Sequence, residues 1–191
     1  RHLDHMVNDM LVFARGGQEG EETVVLTEIL EQVRQTLLPQ LNQQEARWCV
    51  HASDAKLPVR GQREVLVSVL TNLASNALNA GGHSTRLDWH LEAHGKTISL
   101  TLEDDGPGVP EELQEQIFEP FFTTRANGTG LGLAVVRAVI DAHRGTIELD
   151  PSYREGARFV LRLPLMETDQ HLPSRMLRNQ KKAGAADSRC V

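Results

Sequence analysis

The sequence is short of cysteine, of aromatic residues and of positive charge, and each shortage excludes something. Cys49 and Cys190 are the two cysteines among 191 residues. They form no C-x-x-C motif and no disulfide framework, so reduced thiols and a cytoplasmic setting are expected. The net charge of -6 argues against a general nucleic-acid binder, because neutralising phosphates takes clustered Lys and Arg. No apolar run approaches the roughly 18 residues of a membrane span. No signal-peptide pattern follows Arg1, and the chain reads as a piece of a longer protein. No G-x-x-x-x-G-K-[ST] occurs, which excludes a P-loop. Aromatics make up only 4% of the chain, yet three phenylalanines fall between positions 118 and 122.

What is present describes a globular chain. Hydrophobic residues at 40% and charged residues at 24% are enough for one sizeable core. Leu3, Met6, Val7, Met10, Leu11 and Ala14 recur at helical spacing over residues 2–15, and Gly16-Gly17 stops that helix. After an acidic linker at 18–22, a short strand is expected at 23–26. Thr27 is expected to cap a helix whose core face is Leu30, Val33, Leu37 and Leu41. Strands at 47–52 and 58–61 precede a second helix over 62–80, ended by Gly81-Gly82. Leu87, Trp89, Leu91 and Ala93 alternate with polar residues, and Ile98, Leu100 and Leu102 do the same beyond a turn at Gly95-Lys96, which reads as a hairpin. A long Gly-, Pro- and Phe-rich connection fills 104–128, with one helical turn near 111–117. A helix over 129–142 and strands at 145–149 and 157–163 follow. Periodicity then disappears, and 166–191 reads as a disordered tail. This order of elements predicts an α+β fold, a two-layer sandwich with a mixed sheet and helices on one face.

Four features carry possible chemistry. Asn72, Asn76 and Asn79 lie within about 60° of one another on the helix at 62–80. Asn is a poor mid-helix residue, so the cluster is either a solvated face or a set of hard oxygen ligands suited to Mg²⁺. Glu103-Asp104-Asp105-Gly106-Pro107-Gly108 follows a strand directly. It is either plain turn chemistry or a carboxylate at a strand end beside glycines that let a flat ligand approach. Such a carboxylate accepts from the amino group of adenine and faces the carbonyl of guanine, which selects adenine. Phe118-Glu119-Pro120-Phe121-Phe122-Thr123-Thr124-Arg125 is either core or a closing loop, with Arg125 placed to meet phosphate oxygens. Gly128-Thr129-Gly130-Leu131-Gly132 runs into a helix, where backbone amides bind phosphate. A dinucleotide fingerprint fails there despite Asp150 downstream, because Leu133 stands at the third glycine position and no strand precedes.

Taken in order, these four features resemble the ATP-binding catalytic domain of two-component sensor histidine kinases, of the Bergerat type. Leu70 to Ala77 is similar to that family's N box, Asp104 to Gly108 to its first glycine box, Phe118 to Arg125 to its F box, and Gly128 to Leu133 to its second glycine box. The resemblance implies that Asn76 holds Mg²⁺ on the ATP (or ADP) phosphates, with Asn72 beside the nucleotide. It implies that Asp104 reads adenine in a pocket shaped by Gly106 and Gly108, and that residues 110–127 form a lid. Gly128, Thr129, Gly130, Leu131 and Gly132 would cradle phosphate, with Asn79, Phe118 and Thr124 in the nucleotide site and Arg125 joining Asn72 and Asn76 in catalysis. Residues 1–17 would be the second helix of a dimerisation and phosphoacceptor hairpin, and 18–165 the catalytic domain of a bacterial cytoplasmic protein-histidine kinase.

The F-box and second-glycine-box wording resembles the nitrogen-regulatory branch, and the opening Arg1 to Leu11 the flagellar-regulatory members. The implied partner is a response regulator of the sigma-54-activating type. Three positions depart from the family pattern: Asn79 replaces a basic residue, Arg125 replaces Lys, and Arg144 interrupts His-Gly-Gly. None of the eight histidines is followed by Glu or Asp, so the phosphoacceptor is expected outside this chain. ATP-hydrolysing relatives of this fold place a general-base Glu four residues before the metal-binding Asn. Here that position is Asn72, which cannot take a proton. A nucleotide-gated interaction module without transfer is the non-enzyme alternative.

Overall fold

A computed structural model describes residues 22–53, 57–125, 128–166 and 187–190. The helix expected over 2–15 and most of the expected tail lie outside the described residues. Strand β1 (Glu22–Val25) pairs antiparallel with β3 (Pro58–Gly61) in a two-stranded ribbon. Between them run helix α1 (Leu26–Gln44) and strand β2 (Arg47–Ala52), and helix α2 (Arg63–Gly81) follows. The hairpin of β4 (Arg86–His94) and β5 (Thr97–Asp104), helix α3 (Gly132–Ala142), β6 (Thr146–Leu149), β7 (Arg158–Pro164) and β8 (Asp187–Cys190) complete the order. Six of these strands form one mixed sheet in the order β6-β7-β5-β4-β2-β8. Only the β2–β4 pair is parallel.

Period-2 alternation places the sheet's inner face. Leu87, Trp89 and Leu91 on β4, Leu100 and Leu102 on β5, and Leu161 on β7 are each 0% exposed. The three helices cover that face with stripes at i, i+3, i+4 spacing: Ile29, Leu30, Val33 and Leu37 on α1, Leu66, Val69, Leu70 and Leu73 on α2, and Val135, Val136, Val139 and Ile140 on α3. Each fully buried Leu or Val contributes about 1.5–3 kcal/mol. The α+β two-layer expectation is therefore the observed architecture.

Several boundaries move. Helix α1 starts at Leu26 after an extended Val25 and has no side-chain cap, so Thr27 is inside the helix rather than before it. Helix α3 starts at Gly132, three residues later than expected, because Gly130 has φ +66° and cannot be helical. The expected turn at 111–117 contains a short 3-10 segment at Glu111–Leu113 only, and Ala93 is exposed. Asp187–Cys190 is a strand on the edge of β2, not disordered tail. Its last residue makes a further correction: Cys49 and Cys190 are disulfide-bonded across that pair. The partners are 141 residues apart, a pairing that cysteine spacing does not disclose.

Candidate nucleotide site

Alternation along β5 turns Asp104, at the strand's last position, toward the helix side, where it is 4% exposed. Its Oδ1 accepts from the backbone amides of Gly106 at 2.9 Å and Ala157 at 3.1 Å. Burial pushes the carboxyl above its usual pKa, and the two amides partly offset this. With both amides on Oδ1, the second oxygen is the one left for a ligand. Glycine backbone surrounds the carboxyl. A Cβ on Gly106 would stand 3.0 Å from Oδ1 and 3.3 Å from the Gly81 Cα, and one on Gly108 (φ +72°) would stand 2.8 Å from the Gly156 carbonyl. A Cβ on Gly156 would overlap the Asp104 carbonyl.

Helix α2 lies between α1 and α3, and its asparagines divide accordingly. Asn76 Nδ2 is 3.5 Å from Asn72 Oδ1. A Cβ on Gly132, the first residue of α3, would stand 2.7 Å from that same Oδ1. The N-terminus of α3 therefore abuts Asn72, and its first turn has no side-chain cap, which leaves amides directed outward. Asn79 is elsewhere: it donates to Ser75 Oγ at 3.3 Å and accepts from Gln40 of α1 at 3.1 Å.

The loop between β5 and α3 reaches back to α2 through Arg125. Its Nη2 donates to the Asn76 carbonyl at 2.9 Å and its Nη1 to Asn76 Oδ1 at 3.4 Å. Desolvation draws the guanidinium pKa down, but the group stays cationic, as guanidinium does in proteins. The Arg125 amide is held by Thr123 Oγ1 at 3.1 Å, and the Leu131 amide by Thr129 Oγ1 at 3.3 Å. Gly130 lies so close to the Phe121 backbone that a Cβ would overlap it, and a Cβ on Gly128 would overlap Thr123.

The structure thus brings Asn72, Asn76, Arg125 and Gly132 together, and sets Asp104, Gly106 and Gly108 in a second cluster. It places Phe118 in the core, edge-on to Phe159 at 6.3 Å with Arg137 5.0 Å over its ring. Thr124 is exposed. Sequence reasoning missed Gly156 and Ala157, which complete the Asp104 pocket, and Thr123, whose Oγ1 accepts from the Arg125 amide. A glycine two residues before β7 was the available signal. The donor set fits Mg²⁺ and a nucleotide: Asn76 Oδ1 already accepts from a cation, and the glycine cradles are spaces that a Cβ would fill.

The model of the histidine kinase-, DNA gyrase B- and HSP90-like ATPase family matches residues 61–167, a span that holds every residue of both clusters. The chain belongs to this family. Within it, the relatives are sensor histidine kinases. The sensor histidine kinase CpxA of Escherichia coli (strain K12) is 34% identical over 174 residues, covering 86% of this chain and 38% of CpxA. The sensor protein kinase FleS of Pseudomonas aeruginosa is 38% identical over 164 residues, covering 86% of this chain and 40% of FleS. The chain thus spans about two fifths of the length of these curated relatives. The solved catalytic domain of histidine kinase ThkA aligns with a TM-score of 0.71 at 30% identity, covering 77% of this chain and 99% of that one. ThkA has also been solved in complex with the response regulator TrrA, and that kinase aligns at 27% identity with a TM-score of 0.71 over 86% of this chain and 47% of its own. By fold and by kinship, the chain is the ATP-binding catalytic domain of the sensor histidine kinases.

Proposed function

We propose that this domain positions Mg·ATP for transfer of the γ-phosphoryl group to a histidine on a separate helical hairpin, for relay to a response regulator. The observation that carries the reading is the amide of Asn72 against the N-terminus of α3. A carboxylate there could activate water, whereas an amide cannot, so the site favours a protein nucleophile over hydrolysis. The ionised Asp104 accepts from the amino group of adenine through its free oxygen and leaves guanine's carbonyl unpaired. Mg²⁺, when bound, offsets phosphate charge. Asn76 Oδ1 would be its protein ligand, and the uncapped amides of α3 with the Gly128–Gly132 backbone would hold phosphate. Arg125 leaves Asn76 and turns to the phosphate oxygens. An imidazole nitrogen then bonds to the γ-phosphorus in line as the bond to the bridging oxygen breaks, and ADP departs.

On this reading residues 18–165 are the catalytic domain, 1–17 belong to the hairpin, and the domain works in the bacterial cytoplasm. The ThkA–TrrA complex supports a response regulator as the relay partner. The sigma-54-activating type and the flagellar-regulatory branch rest on the sequence resemblance, with FleS among the relatives. The test supplies a hairpin carrying its histidine together with ATP and Mg²⁺. Acid-labile phosphate is expected on that histidine. ADP binding without any transfer would instead favour a nucleotide-gated interaction module.

A further inference from the structure

The sheet's outer face, turned away from the helices, carries imidazoles and carboxylates that the nucleotide site does not use. Cys49 and His51 stand two residues apart on β2 and so share that face. Asp88 is the register partner of Cys49 on β4, and His90 that of His51. Ligand atoms of Cys49, His51 and Asp88 all lie within 4.8 Å of one another. His51 Nε2 is 3.4 Å from Asp88 Oδ1, and the His51 ring stacks on His90 with centroids 4.7 Å apart. Arg86 Nε holds the other oxygen, Oδ2, of Asp88 at 2.7 Å, which turns Oδ1 toward the cluster. Cys49 is 6% exposed, whereas His51 and Asp88 are half-buried and reachable.

We propose that reduction of the Cys49–Cys190 disulfide converts this cluster into a site for one borderline-soft divalent cation, Zn²⁺ being the type, held by the Cys49 thiolate, His51 and Asp88. Thiolate, imidazole and carboxylate are the zinc donor set, and three protein ligands leave a fourth position for water. Bonds of about 2.0–2.3 Å in tetrahedral geometry put donors about 3.5 Å apart, so the present spacing closes by side-chain rotation. Arg86 on Asp88 and His90 on His51 act as outer partners that orient two of the ligands. A dithiol gives two electrons and two protons to the two sulfurs and is itself oxidised to a disulfide. Cys49 then loses its proton as it binds the metal. One sulfur cannot do both jobs. Bonded to Cys190 it fastens β8 to β2; as a thiolate it ligates the cation. In a reducing compartment the thiol form is the populated one.

The test titrates Zn²⁺ against a chromophoric chelator. One sample is the 191-residue chain, reduced with a phosphine and freed of it anaerobically. A second is Cys190→Ser, which cannot form the disulfide and needs no reductant. Both are expected to bind one equivalent, and the disulfide form to bind about a hundredfold more weakly. Cys49→Ser should lose about a hundredfold in affinity, and His51→Ala and Asp88→Asn at least about as much, the upper end of what losing an outer partner costs. Co²⁺ in place of Zn²⁺ should show thiolate-to-metal absorption in Cys190→Ser and none in Cys49→Ser. Melting curves verify that each variant is folded. Equal affinity of Cys49→Ser and Cys190→Ser, equal affinity of the reduced and disulfide forms, or a Co²⁺ spectrum without the thiolate band would overturn the proposal.

Discussion

Arg125 holds Asn76 by both of that residue's oxygens, donating to the backbone carbonyl at 2.9 Å and to the side-chain Oδ1 at 3.4 Å. The side-chain oxygen is the one assigned to Mg²⁺. Guanidinium and metal compete for it, because two cations at that range repel. The side-chain oxygen assigned to the metal thus accepts from the domain's own cation. Arg125→Ala should therefore leave Mg·ADP affinity within about threefold, because losing a phosphate contact and losing the competitor for Asn76 offset each other. Phosphoryl transfer should fall at least about tenfold, the minimum for a charge-assisted contact worth about 1.5–3 kcal/mol. Parallel measurement of binding and of single-turnover transfer checks the split.

Asn76→Ala removes the oxygen proposed for Mg²⁺ from a half-buried helix position without opening the core. Transfer to a supplied histidine should be abolished, and nucleotide affinity should lose its dependence on Mg²⁺ while the melting temperature stays near that of the parent. Normal transfer by this variant would remove the metal assignment.

Asp104→Asn exchanges the open oxygen for a donor while the remaining oxygen can still accept from Gly106 and Ala157. Loss of a buried hydrogen bond at about 1–3 kcal/mol lowers ADP affinity about 5- to 150-fold, and the new donor suits the guanine carbonyl, so GDP should gain. The parent has a matching pH signature. Burial raises this carboxyl's pKa, so as pH falls the folded domain takes up the proton before the unfolded chain does at about 3.9. In that window the group's contribution to stability rises with acidity, while adenine binding is lost because the protonated oxygen no longer accepts. Titrating ADP affinity downward from pH 7 should show the loss beginning above the usual carboxylate range.

Gly130→Ala places a Cβ at φ +66° and against the Phe121 backbone. The left-handed conformation alone costs about 1–2 kcal/mol. The strain falls on the loop rather than the core, so the melting temperature should move little and ADP affinity should drop about tenfold, read by calorimetry.

Legibility followed contact range. The β4–β5 hairpin and the boundaries of β2 and β3 were readable because alternation and flanking turn residues are local signals. The stripe on α2 and the pairing of Asn72 with Asn76 were readable from helical periodicity. What completes Asp104 was not: the amide of Ala157 arrives from 53 residues away, and nothing near Asp104 announces it. The true start of α3 was hidden because glycine tolerates helical and left-handed backbone alike, and the Gly130 conformation is dictated by packing on Phe121. The contacts of Asn79 were hidden for a similar reason. Its angular position on α2 is close to that of its companions, but the neighbouring α1 presents Gln40 there.

The central claim, a Mg-dependent adenine-nucleotide site built on Asp104 and Asn76, is tested most directly by calorimetric titration of the domain with ADP and with GDP, each with and without Mg²⁺. The account predicts micromolar-range binding (about -8 kcal/mol) of ADP that strengthens with Mg²⁺, and no binding of GDP. Equal binding of the two nucleotides, or of neither, would contradict it.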